Sequence, residues 1–225
     1  MQKRTMTAAT AASENPASVL TTIYLRTKAL HTEAERSGVI RDMLRGEASR
    51  DGYILLLRNL LPAYEALEYG LDEHRDSAEL SELASFKLDR APAMRSDLDA
   101  LCGPAWEDRI PLLDAGKAYG EKVQDATQGD GTKLIAHAYT RYLGDLSGGL
   151  ILQKLLARTP GLQPAEMSFY CFPKFADLGK LKSQYRDALD RAASMAINPD
   201  PIVEESAEAF RLNIELSWAV KNNIA

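Results

Sequence analysis

The chain is poor in the residues that build metal and redox centres, with two cysteines and three histidines in 225 residues. Cys102 and Cys171 lie far apart with no C-x-x-C spacing, so they form neither a disulfide framework nor a metal knuckle, and they read as two reduced thiols. A di-iron bundle site needs a glutamate three residues before each of two histidines. The residues in those places before His31, His74 and His137 are Lys28, Leu71 and Leu134, which removes that class. No apolar run approaches the roughly 18 residues that span a bilayer, so no membrane association is expected. Positive charge is not in excess either: 27 basic against 32 acidic residues give a net charge of −5, which argues against a nucleic-acid partner. The opening MQKRTMTAATAASENPAS lacks the apolar centre of a secretion signal, so residues 1–17 are expected to be a flexible arm and the protein cytoplasmic.

What remains reads as helix after helix, with no alternating strand pattern, repeat or linker. Residues 19–44 carry apolar positions at Leu20, Ile23, Leu30, Ala34 and Ile40, and 52–74 form an apolar-faced helix with an expected kink at Pro62. Further helices are expected near 109–127, 132–158 and 177–196. A last one should start at DPIVEE, with Asp200 as cap and Pro201 in the first turn. The reading is one all-α domain over residues 18–221.

The helix expected at 132–158 contains RYLGDLSGGL, with Gly144, Gly148 and Gly149 inside it. Each interior glycine costs about 1 kcal/mol relative to alanine, so the three need a reason. Gly144 and Gly148 share a face beside Asp145. That bare face suits either a close helix crossing with a bend or a flat ligand lying against the backbone. His31 sits mid-helix among small and apolar neighbours, with Glu35 one turn on. Such a histidine is either a packed side chain or a haem ligand whose second ring nitrogen is held by Glu35.

HTEAE (31–35) and AHAYTRYLGDLSGG (136–149) resemble the haem oxygenases. The resemblance runs from about 18 to 218 and includes LLPAYEALE (60–68), FPKF (172–175), KSQYR (182–186) and AFRLNIEL (209–216). It implies a single-domain multi-helical bundle with haem between a proximal helix and a kinked, glycine-rich distal helix. It implies His31 as the iron ligand, Gly144 and Gly148 as backbone against the haem face, and Asp145 as the distal carboxylate that organises water. Tyr64, Tyr139 and Arg141 would join the distal network, Lys182 and Arg186 would meet the haem propionates, and Phe210 and Asn213 would line the pocket. His137 matches a histidine that is not the iron ligand.

The implied reaction opens haem b, at once cofactor and substrate, to biliverdin, carbon monoxide and iron, using O2 and external reducing equivalents. Since the chain has no flavin, nicotinamide or iron–sulfur fingerprint, a ferredoxin or flavoprotein reductase is the expected partner, docking near Lys28, Lys180, Lys182 and Arg186. A biliverdin-accepting protein is a further candidate partner, and a monomer is expected. With no hydrophobic tail after KNNIA, the soluble, bacterial-type form of the family is expected and not the membrane-anchored one. Two departures bear on where the ring opens, with the alpha position as the expectation. Tyr24 stands where a lysine is expected, with Arg26 as an uncertain substitute, and Leu150 replaces a glutamine. A haem carrier or sensor without turnover, and a thiaminase-like enzyme, are the alternatives.

Overall fold

In the computed structural model, which describes residues 18–224, all regular elements are helical. The expected arm at 1–17 lies outside the described residues. The elements are α1 (Val19–Ala34), α2 (Gly38–Arg45), α3 (Arg50–Glu73), α4 (Ser81–Ser85), α5 (Ala91–Cys102), α6 (Asp114–Ala126), α7 (Leu134–Ala138), α8 (Leu150–Leu156), α9 (Leu178–Met195) and α10 (Asp200–Asn222). Two π-helical segments, Tyr139–Leu143 and Asp145–Gly149, join α7 to α8.

The 19–44 run is two helices, not one. Gly38 takes φ +47°, and its backbone runs so close to α10 that a Cβ there would stand 2.1 Å from the Ser217 carbonyl oxygen. Ser217 secures the junction: its Oγ donates to the Ser37 carbonyl (2.8 Å) and accepts from Ile40 N (3.1 Å). α1 starts on Ser18, whose Oγ accepts from Thr21 N at 3.2 Å.

α3 continues unbroken through Pro62 and is the central helix, with Leu57, Leu61, Tyr64 and Leu67 almost wholly buried. The close crossing that small residues permit is found between α3 and α6. A Cβ at Gly116 would meet Asn59 Oδ1 at 2.6 Å, and one at Gly120 would meet Pro62 Cβ at 2.7 Å. α6 begins at Asp114, later than the expected 109. Asn59 fixes its approach: its Oδ1 accepts from Leu113 N (2.7 Å), and its Nδ2 donates to Leu55 O (2.8 Å) and Pro111 O (3.1 Å). Asn59→Ala leaves those groups without their partner, so a loss of about 2–3 kcal/mol is expected, read as a lower denaturant midpoint at unchanged slope.

α4 and α5 went unforeseen in the sequence, and Cys102 closes α5. Glu68 of α3 caps α5, its Oε1 accepting from the backbone N of Arg90 and of Ala91 (2.8 Å to the latter). At α10 the expected cap is also displaced. Asp200 is already helical, and Asn198 Oδ1 accepts from its N–H at 3.0 Å. Among the described residues no helix is long and apolar enough to cross a membrane.

Candidate functional site

A cleft of about 370 Å³ lies between α1, α10 and the π-helical stretch, and nine of the twelve residues singled out in the sequence line it. They are His31 and Glu35 from α1, Tyr139, Arg141, Gly144, Asp145 and Gly148 from the π-helical stretch, and Phe210 and Asn213 from α10. The walls the sequence reading missed are mostly apolar: Ile40, Leu56, Leu60, Ile151, Phe169 and Tyr170. Phe169 and Tyr170 belong to an aromatic run, SFYCF, that could have marked them.

The distal stretch changes its hydrogen-bond register while keeping right-handed backbone angles; Gly144 has φ −60° and ψ −50°. Its glycines are therefore not there for a left-handed turn. Nor do they serve a helix crossing: a Cβ added at Gly144 or Gly148 would meet nothing within 4 Å. Gly149 differs, since a Cβ there would press on the Tyr170 ring at 3.2 Å. The bare backbone at Gly144 and Gly148 borders open cleft space.

His31 keeps its side chain 59% exposed, with its ring centroid 5.7 Å from that of Phe210. Glu35 was expected to take the Nδ1–H, but Nδ1 and Glu35 Oε1 are 3.8 Å apart, an ion-pair distance too long for a hydrogen bond.

Asp145 accepts a hydrogen bond from the Tyr64 hydroxyl at 2.7 Å. Tyr64 thus serves the site from α3 without lining the cleft. Burial pushes the Asp145 carboxyl up to about 6, against the pull of Arg141 and the Tyr64 bond. The Arg141 guanidinium lies over the rings of Tyr64 (5.9 Å) and Tyr119 (6.0 Å). Burial works to lower its pKa, and the surrounding Tyr119, Tyr64 and Asp145 outweigh it, so Arg141 is a fixed, partly buried cation.

Lys182 and Arg186 do share a face of α9, but both are exposed and neither lines the cleft. Burial pushes the Tyr139 hydroxyl up, opposed by Thr27 and by the positive charge of Arg186. Arg26 is occupied elsewhere: its Nε and Nη2 donate to the two carboxylate oxygens of Glu204 at 3.3 and 3.0 Å. Tyr24 is half-exposed, and Leu150 points away from the cleft while its neighbour Ile151 forms part of the wall.

A family profile described as heme oxygenase matches residues 17–219. The chain belongs to the haem oxygenase family. It is similar to "Heme oxygenase 1" of Nostoc sp., with 33% identity over 199 residues, covering 88% of this chain and 84% of that protein. "Heme oxygenase 1" of Homo sapiens is 33% identical over 193 residues, with 84% and 67% of the two chains covered. Among solved structures, a heme oxygenase-1 of Synechocystis sp. in complex with heme aligns with a TM-score of 0.84 at 30% identity, over 92% of this chain and 94% of that one. A heme oxygenase from Leptospira interrogans aligns at a TM-score of 0.82 and 31% identity, over 89% and 98%.

The residues fit haem. An exposed imidazole, a backbone face with open space where two Cβ atoms would stand, and apolar walls share one cleft with a carboxyl at its edge.

Proposed function

We propose that in this haem oxygenase His31 Nε2 holds the iron, the Gly144–Gly148 backbone lies against the opposite face of the ring, and Asp145 holds and moves the proton the reaction needs. The observation that carries this reading is the pair of glycines with unobstructed Cβ directions, lining the same cleft as His31. When bound, haem supplies the iron that activates O2 and is itself the molecule consumed. The chain supplies the rest. Ile40, Leu56, Leu60 and Phe210 exclude water from the ring, and no side chain at 144 or 148 crowds the distal face. A carboxyl at about 6 takes up and gives back a proton near neutral pH, and the Tyr64 hydroxyl fixes its orientation.

Ring seating follows from the cations that remain available. With Arg26 tied to Glu204, Arg186, whose charge acts on the cleft residue Tyr139, is the cation taken to meet a propionate, with Lys182 one turn before it. Opening at the alpha meso carbon is the isomer we expect. Electrons come from a ferredoxin or a flavoprotein reductase.

The test is one equivalent of hemin added to the purified protein, then ascorbate under air with catalase, followed by visible spectra and chromatography of the product. Decay of the Soret band with growth of biliverdin absorption supports the reading, and the isomer tests the seating. A Soret band that persists even with a reductase present would make the protein a carrier.

Gly144→Leu separates ligand fit from fold. The added side chain enters open cleft space, so the thermal midpoint should stay within a few degrees of the parent, whereas hemin affinity falls at least about tenfold, measured by titration of the Soret band.

A further inference from the structure

Part of the cleft wall is held from behind by a helix that does not reach the cleft. Phe169 and Tyr170 line the cleft from the connection between α8 and α9, outside any long helix. Phe169 meets the Tyr64 ring edge-on, with centroids 5.4 Å apart at 83°. Tyr170 fits over Gly149, where a Cβ would stand 3.2 Å from its ring. Two short-range contacts of this kind demand an accurate backbone, which an irregular connection does not have by itself.

Arg90 and Asp97, at the start and in the middle of α5, supply it. Asp97 is wholly buried and accepts from Ser168 N (2.8 Å), Ser168 Oγ (2.6 Å) and Phe169 N (2.8 Å). Buried Arg90 donates through Nη1 to the carbonyls of Phe169 (3.2 Å) and Cys171, and its guanidinium lies 4.2 Å from the Phe172 ring centroid. The carboxylate takes the N–H groups and the guanidinium takes the carbonyls, so residues 168–171 are gripped on both sides of their peptide planes. Neither side chain lines the cleft.

This is a costly way to join a helix to a loop. Every one of these partners is neutral, and a buried charge without an opposite charge is expensive. Burial pushes the Asp97 carboxyl up, against the pull of Ser168 and Phe169. Apolar side chains would join the same elements without that penalty. What they would not give is a backbone fixed in direction as well as distance.

We propose that Asp97 and Arg90 are positioning residues for the reaction: by clamping residues 168–171 they fix the Phe169 and Tyr170 rings as a rigid stop, and that stop sets which part of the haem rim faces the distal stretch. It rests on haem filling the cleft between His31 and the glycine backbone. A flat ligand held at its centre by one imidazole is free to turn in its own plane until something at its rim prevents it. Lys182 and Arg186 are exposed and lie outside the cleft lining, whereas the aromatic wall is buried and inside it.

The test uses the full-length protein and the variants Asp97→Asn and Arg90→Lys, with Asn59→Ala as a control that weakens the fold without touching residues 168–171. Asparagine keeps the size of Asp97 and one acceptor oxygen for Ser168, but turns an N–H2 group toward the Phe169 N–H, donor against donor. Lysine keeps the charge of Arg90 and loses the planar fork. Three readouts are taken: amide hydrogen exchange at Ser168 and Phe169 without haem, the haem-methyl proton resonances of the cyanide-bound ferric complex, which report ring seating without turnover, and the isomers of biliverdin formed. Asp97→Asn is expected to speed exchange at Phe169 by about tenfold or more. It should also change the ratio of seatings, and the share of minor isomers, by about threefold or more. Arg90→Lys should move both in the same direction, and it serves if Asp97→Asn does not fold. Asn59→Ala should leave seating and isomer share at the parent's values. Parent-like seating and isomers in both clamp variants, or an equal change in Asn59→Ala, overturn the clamp. A parent that binds no hemin would instead overturn the reading of the cleft, and the clamp's role with it.

Discussion

Asp145→Ala is expected to bind hemin with His31 still attached and to lose biliverdin formation by about 100-fold or more, in line with the loss of a positioned acid–base group. The Tyr64 hydroxyl, which donates to Asp145 at 2.7 Å, is then left aimed at an empty space and cannot substitute, because its burial, the largest cause that holds it well above the usual phenol range, persists in the variant. Loss of fold is not the cause to expect. The folded protein binds the Asp145 proton more tightly than the unfolded chain does, because burial lifts the carboxyl from 3.8 to about 6. That contribution is complete below pH 3.8 and is lost as pH rises through about 6, amounting to roughly 3 kcal/mol of destabilisation at pH 8. Alanine removes it but orphans the buried Tyr64 hydroxyl, at about 1–3 kcal/mol, so thermal unfolding above pH 6 should show a variant within a few degrees of the parent. Unchanged biliverdin yield would sink the assignment.

His31→Ala should act on the other face of the cleft. Outer-sphere partners of a metal ligand are worth about 10–100-fold, so loss of the proposed ligand itself should cost turnover more than that. The side chain is largely exposed into the cleft and touches Phe210 on one side, so truncation opens a space shaped for an imidazole without disturbing the core. Added imidazole should restore turnover in proportion to its occupancy. A ferric spectrum identical to the parent's, or turnover unaffected by the substitution, would mean that another group holds the iron.

Much of the site was legible because its residues cluster in two short segments. HTEAE and the distal glycine motif each carry several cleft residues, and it was the resemblance borne by those two segments, not their spacing, that assigned them to a ligand. For Lys182 and Arg186 the four-residue spacing gives a shared face, and α9 turns that face to solvent, outside the cleft lining. Helix α5 was hidden by Asp97, an acid standing in the apolar stripe of Met94, Leu98 and Leu101. Its carboxylate belongs there because it accepts from Ser168 N (2.8 Å), Ser168 Oγ (2.6 Å) and Phe169 N (2.8 Å), contacts made 71 and 72 residues away. The break before α2 is equally non-local, being imposed by the α10 backbone against Gly38. His137 bonds Glu205 across 68 residues, and nothing in their flanking sequence links them.

The two π-helical segments between α7 and α8 carry a mechanical consequence. A wider turn holds one residue more than an α turn, so each segment stores a register that can be given back. Tightening one of them to α geometry would rotate everything downstream by about 100° and shift it by about 1.5 Å along the axis. Ile151 and Leu152 would swing out of the cleft wall with α8, and no hinge loop would be needed. For the same reason, deleting one residue within 139–149 is not equivalent to trimming a loop: it re-indexes the far half of the wall.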